Sequence, residues 1–233
     1  METSLLFNRI KDVYLRMSRA AMKADRIPDE VQLIAVTKTV TIDTIRESVD
    51  CGLRVFGENR MQEAKRKILS DEIQSMSEVL AWHFIGHLQK NKAKDAVQLF
   101  DLIHSVDSVG LVDEIDRQAE RIGKVQRVLV EVKLSEEETK YGIVEDALLP
   151  FLERISRKKH VTVEGLMAIP PFLEDMKSVR PYFVRLRELR ERAKTAGFAL
   201  PELSMGMSHD FETAIEEGAT MVRIGTAIFG ERG

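Results

Sequence analysis

The chain has 233 residues, 44% hydrophobic and 31% charged, with 13 glycines and 6 prolines, which excludes a disordered or fibrous chain and leaves length for a sizeable core. With 35 basic and 38 acidic residues interspersed, the formal charge of −3 gives no global field to recruit nucleic acid or an anionic membrane, so neither is expected as a partner. Cys51, the single cysteine, excludes an internal disulfide framework and suits a reducing cytoplasm, and no apolar run reaches the length of a transmembrane helix.

The first segment carries apolar residues at Leu6, Ile10, Val13, Met17 and Ala20, which is helical spacing. Arg9, Arg16, Arg19 and Arg26 give it the basic face of a transit peptide. Glu2, Asp12 and Asp25 interrupt that face, however, and such signals are poor in acidic residues, so a structural helix covering the core is expected. After Pro28, short apolar β-rich runs at 31–38, 54–58, 82–87, 102–106, 127–132, 162–169, 202–205 and 221–228 alternate with stretches of helical length. Those stretches read "TIDTIRESVD", "MQEAKRKILS", "KNKAKDAVQLF", "SVGLVDEIDRQAERIG", "EDALLPFLERISRKK", "RPYFVRLRELRERAKTAG" and "DFETAIEEGA". Gly52, Gly123, Gly197 and Gly218 fall where helix C-caps belong, and Thr41, with Ser208 or His209, where N-caps belong. The alternation predicts parallel strands with crossover helices. Residues 1–233 are therefore expected to form one α/β domain, a single (β/α)8 TIM-type barrel with an extra N-terminal helix. An open doubly wound sheet is the competitor, but "TKTVT" lacks the glycines of its first turn.

In such a barrel chemistry gathers at the C-terminal ends of strands. Alternation along "LIAVTKTV" puts Ile34, Val36 and Lys38 on one face. If that face points inward, the Lys38 amine stands at the mouth, where partial desolvation favours the neutral nucleophile that condenses with a carbonyl. A lysine that snorkels to solvent is the ordinary alternative for this strand taken alone. The seventh strand is followed by "SMGMS", with Gly206, and the eighth by "RIGTA", with Gly225 and Thr226; these are the loops that bind phosphate in many barrels. Ser204, Ser208, Gly225 and Thr226 supply hydroxyls and unobstructed amides. An amine and a phosphate cradle at one mouth imply a phosphorylated carbonyl compound, either pyridoxal 5'-phosphate (PLP) or a sugar phosphate. Arg223, just before the second loop, could donate to a pyridine nitrogen.

Read together, "VTK", "FGENRMQEA", "WHFIGHLQKNK", "HSVDS", "VEGLMAI", "LSMGMSHDFETAI" and "VRIGTAIFG" span the chain in order and closely resemble the YggS/PROSC family of PLP homeostasis proteins. The resemblance implies a barrel of PLP fold type III, similar to the N-terminal domain of alanine racemase. It implies that Lys38 carries the cofactor as a covalent aldimine. It further implies that the serine of "SMGMS" with Gly225 and Thr226 binds the phosphate, that Ser204, Met205 and Ser208 belong to the cofactor site, that Arg223 faces the pyridine nitrogen, and that Asn59 and His87 line the pocket. One departure is the loop "VKLSEEETKYGI", where Lys133 and Lys140 bring further amines near the mouth.

Arginine is permanently cationic and cannot accept a proton from a pyridinium, so the ring is expected to be a weak electron sink. A racemase also needs proton-transfer groups on both faces of the substrate carbon, and the second base of alanine racemase comes from an additional domain not expected in this chain. The leading expectation is thus a cytoplasmic, monomeric protein that holds PLP for homeostasis, with PLP-dependent apoenzymes as recipients. A weak racemase or lyase using Lys38 with Tyr141 or His87, and a Schiff-base aldolase acting on a sugar phosphate, are the alternatives. No metal is expected: His83 and His87 lie four apart on a strand, and His104, His160 and His209 are scattered, so each reads as satisfied or exposed. The basic runs "KNKAK" and "RKK" read as solvated helix faces.

Overall fold

Strands that are apolar on both faces are buried on both, and closing them into a ring also removes the exposed edges. The computed structural model describes residues 4–135, 141–171, 173 and 175–231. The chain opens with α1 (Leu5–Lys23) and continues through β1 (Gln32–Val36), α2 (Ile42–Asp50), β2 (Val55–Glu58), α3 (Met61–Ile68), α4 (Asp71–Gln74) and β3 (Ala81–Phe84). Then come α5 (Ala93–Leu99), β4 (Leu102–Val106), α6 (Val109–Arg121), β5 (Gln126–Lys133), β6 (Ile143–Val144) and α7 (Leu148–Ile155). The last elements are β7 (Val161–Met167), α8 (Met176–Thr195), β8 (Glu202–Ser204), α9 (Phe211–Glu216), β9 (Met221–Ile224) and α10 (Thr226–Phe229). Hydrogen-bonded neighbours run β1-β2-β3-β4-β5-β7-β8-β9 and back to β1, all parallel, with the two-residue β6 appended to β5. The ring is the eight-stranded barrel that the alternating sequence predicts.

The period of two sorts each strand's side chains. Ile34, Leu102, Leu129, Met167 and Met221 meet inside the ring, while Leu33, Ala35, Ile103, Val128 and Val130 join the larger core beneath the helices. Ile34 is therefore on the inner face, as expected. Leu6, Ile10, Val13, Met17 and Ala20 of α1 are all buried, and the helix packs on α9 and α10. Arg26 fastens its end, donating from Nη1 to the carbonyls of Ile215 and Ala219, each at 2.8 Å. Among the described residues no helix is long and apolar enough to cross a membrane.

Gly52, Gly123, Gly197 and Gly218 all sit at positive φ past helix ends, and Thr41 Oγ1 accepts from the Thr44 amide, as the caps predict. Five strands stop earlier than their apolar runs, β7 at Met167 and β8 at Ser204 by two residues or fewer. β1 ends at Val36, which leaves Lys38 in a turn, and β3 ends at Phe84, which leaves His87 in a loop. The run 221–228 is broken at Gly225, after which Thr226–Phe229 is helical. Neither Ser208 nor His209 caps α9. The residue before that helix is Asp210, and the Ser208 hydroxyl is engaged elsewhere.

β7 carries a bulge where its pairing with β5 passes from Val163 to Gly165, and at Gly165 the chain touches β8. A Cβ there would lie 2.0 Å from the Glu202 carbonyl oxygen, whereas a Cβ at Gly52 meets nothing within 4 Å. Gly165→Ala is therefore expected to lower unfolding free energy in urea by about 3 kcal/mol or more, through forced strand separation. Gly52→Ala, which suffers only the left-handed backbone, is expected to lose about 1 kcal/mol.

Candidate functional site

All strands of the ring point one way, so their C-terminal ends share a mouth, which holds a cavity of 480 Å³. Its lining comes from the ends of seven barrel strands and the loops beyond them. Lys38, Asn59, His87, Ser208, Arg223, Gly225 and Thr226 all line it, so seven of the expected positions converge. Ser204 and Met205 do not. Both are fully buried, Met205 in the core outside the ring and Ser204 beneath Arg223. Lys133 is not part of the lining, and Lys140 lies outside the described residues.

Ser204 acts on Arg223. The guanidinium is 4% exposed and donates from Nη1 to Ser204 Oγ at 2.5 Å and from Nη2 to the Ala168 carbonyl at 2.9 Å. Burial lowers its pKa to about 10, with Glu131 and Asp210 opposing, so it stays cationic at neutral pH. Arginine can only donate, and among the described residues the one acceptor within reach of the Ser204 hydroxyl proton is His104 Nδ1, at 2.9 Å, so Ser204 Oγ turns its proton there. His104 Nε2 then carries the proton that reaches His83 Nδ1 at 3.1 Å. One obligate donor thus assigns both tautomers. Burial holds both rings neutral, His83 down to about 3 and His104 well below its ordinary value. These two histidines are satisfied inside the barrel, as the sequence suggested.

At the β8–β9 side, Ser208 Oγ accepts from the amides of Gly225 (3.1 Å) and Ala227 (3.3 Å). A hydroxyl and two converging N–H groups therefore stand at the edge of the cavity. At the β2–β3 side, Asn59 Oδ1 is buried and has no hydrogen-bond partner among the described residues. Gly86 packs on the backbone there: a Cβ would lie 2.2 Å from the Asn59 carbonyl oxygen. His87 stacks on Tyr141 with ring centroids 3.6 Å apart and planes at 12°, and its Nδ1 lies 3.5 Å from Asp107 Oδ2.

Residues 17–233 match the family model described as the alanine racemase N-terminal domain. A pyridoxal phosphate homeostasis protein of Aquifex aeolicus is 48% identical over 225 residues, covering 96% of this chain and 97% of that protein. The chain belongs to the YggS/PROSC family of pyridoxal phosphate homeostasis proteins. Among solved structures, PipY of Synechococcus elongatus PCC7942 with PLP bound aligns with a TM-score of 0.80 at 37% identity, covering 92% of this chain and all 100% of that one. A protein from Bifidobacterium adolescentis aligns with a TM-score of 0.90 at 34% identity, over 96% of this chain and 94% of that one.

This member of the family carries a group at the mouth that motif reading overlooked. Glu131 lies on β5 and Lys38 follows β1, and four steps separate those strands in either direction round the ring. The two residues stand on opposite walls of one cavity. The signal was present in "LVEVK": Leu129 points inward, so the residue two further on does too. Glu131 is 8% exposed. Burial raises its pKa to about 7, Asp107 pushes the same way, and Arg223 opposes.

The folded-state value lies above that of an unfolded chain, so the fold favours the neutral acid and loses that advantage as pH rises through about 7. Urea unfolding of the ligand-free protein is expected to show wild-type stability falling relative to Glu131→Gln between pH 4 and pH 8. The change should be on the order of 3 kcal/mol. A pH-independent difference would mean that Glu131 titrates as an ordinary surface carboxylate.

Proposed function

We propose that the protein binds PLP in the barrel mouth, holds it as a Schiff base on Lys38, and serves intracellular homeostasis of the cofactor. The observation that carries this reading is the convergence of the Lys38 amine and the Ser208 donor set on one cavity. The names of the relatives and the PLP bound to PipY support it.

The residues fit such a ligand. When bound, PLP supplies an aldehyde that a primary amine captures, and a ring that draws electrons from the captured atom. Lys38 offers the amine. The Ser208 hydroxyl, whose oxygen takes the amides of Gly225 and Ala227 and so leaves its own proton to give, offers a donor for the phosphate, with Thr226 beside it. Asn59 Oδ1 offers a buried acceptor that awaits a donor. Arg223, fixed by Ser204 and Ala168, stays a cationic donor and offers no acceptor for a proton on a ring nitrogen, which suits holding better than turnover. The working unit proposed is the 1–233 chain as one domain and a monomer, in the cytoplasm, with PLP-dependent apoenzymes as recipients.

Glu131 supports a second reading, a weak amino-acid racemase or lyase, because it places a proton-exchanging carboxyl across the cavity from Lys38. One preparation separates the two. Mixing purified protein with PLP is expected to give a yellow species that borohydride bleaches, with the reduced label mapping to the peptide containing Lys38 and absent from Lys38→Ala. A label on Lys133 or Lys140 would overturn the assignment. Conversion of an L-amino acid to its D form, lost in both Lys38→Ala and Glu131→Gln, would favour the racemase.

A further inference from the structure

Behind the turn that carries Lys38 lies a charged cluster, none of it in the cavity lining. Lys67 of α3 is 1% exposed, and its Nζ donates to the Thr37 carbonyl at 2.6 Å, to Glu58 Oε1 at 2.8 Å and to Glu63 Oε1 at 2.6 Å. An ammonium has three donors, so all are committed. Burial pushes the Glu58 carboxyl up against the pull of Lys67, while Glu63, less deeply buried, ends below its ordinary value through its bonds to Lys67 and Thr39. Buried ion pairs of this kind are weak contributors to stability, because apolar replacements often serve as well. Stability alone therefore gives a poor account of the cluster.

What the cluster does in space is grip one turn from both sides. Thr37 passes its carbonyl to Lys67 and its hydroxyl to Glu58 Oε1 at 2.7 Å. Two residues on, the Thr39 amide donates to Glu63 Oε1 at 2.5 Å. Thr39 has φ 63, a left-handed backbone that β-branched residues rarely adopt and that persists only where neighbours enforce it. Lys38 is the residue between. We propose that Lys67, Glu63 and Glu58 are positioning residues for Lys38: they fix the backbone at Thr37 and Thr39 so that the amine enters the cavity from one place. This rests on the reading that Lys38 holds the cofactor.

The test compares wild type, Glu63→Ala, Glu63→Gln and Lys67→Met, each purified free of cofactor and mixed with PLP. Three quantities are read: the rate at which the yellow band appears, the pH midpoint of that band, and the urea midpoint of unfolding. Glu63 is at the edge of the cluster, with 14% side-chain exposure, so its variants should fold even if Lys67→Met does not. In Glu63→Ala the band is expected to form at least tenfold more slowly and its pH midpoint to move, while the protein remains folded at 25 °C. Glu63→Gln, which keeps an oxygen for the Thr39 amide, should recover most of the rate. Lys67→Met, if folded, should match or exceed the loss in Glu63→Ala. Rates and pH midpoints within twofold of wild type in folded Glu63→Ala would overturn the positioning role, as would a change in urea midpoint alone. Failure of borohydride to label Lys38 in wild type would instead sink the reading beneath it, whatever the variants do.

Discussion

The hydrogen bonds between β4 and β5 close the sheet on itself, and everything at the mouth depends on that closure. In an open sheet, Lys38 after β1 and Glu131 on β5 would sit at distant positions along the strand order. In the ring they are opposite walls of one cavity, and the β8 and β9 loops fall between them on one side. Parallel strands add the second requirement, because every strand then delivers its C-terminal residue to the same end. The helices contribute by covering the outer faces and, in α3, by reaching back beneath the first turn.

Part of the ring's interior is polar. Most of a barrel interior is filled by branched apolar chains, and here Ile34, Leu102, Leu129, Met167 and Met221 do that work. Beside them a buried guanidinium needs acceptors, and it finds Ser204 and Ala168. The direction of each later bond follows from that first one, through Ser204 and His104 to His83. A chain with one allowed direction fixes the side chains it contains. Arg223 therefore reaches the cavity already oriented, and a ligand meeting it would not have to order it.

Much of this was legible in the sequence. Periods of two and 3.6 give the strands, the helices and the inner face of β1, and glycines marked the helix ends. The lysine and the two phosphate-type loops could be found because each occupies a fixed place at a strand end. The rest depends on contacts that span the chain. "TAIF" is as apolar as the strand before it, so nothing local announces that Gly225 ends β9 and starts α10. Ser208 resembles a cap for the helix that follows it, yet its hydroxyl serves amides 17 and 19 residues away. Lys67 sits in "KRK" beside two exposed basic residues, and only the packing of α3 under the Thr37 turn sets it apart. Ser204 and Met205 belong to the right motif, but Ser204 lies beneath Arg223 and Met205 in the core outside the ring, which spacing to the neighbouring glycine did not reveal.

The central claim is that one cavity presents an amine on the β1 side and the Ser208 hydroxyl, held by two backbone amides, on the β8–β9 side. A crystal structure of the protein with PLP at full occupancy tests it most directly. The account predicts continuous density from Lys38 Nζ to the cofactor, with the phosphate beside Ser208 and Thr226, and Asn59 Oδ1 taking a donor. Density joined to another lysine, or a phosphate lodged away from Ser208, would contradict it.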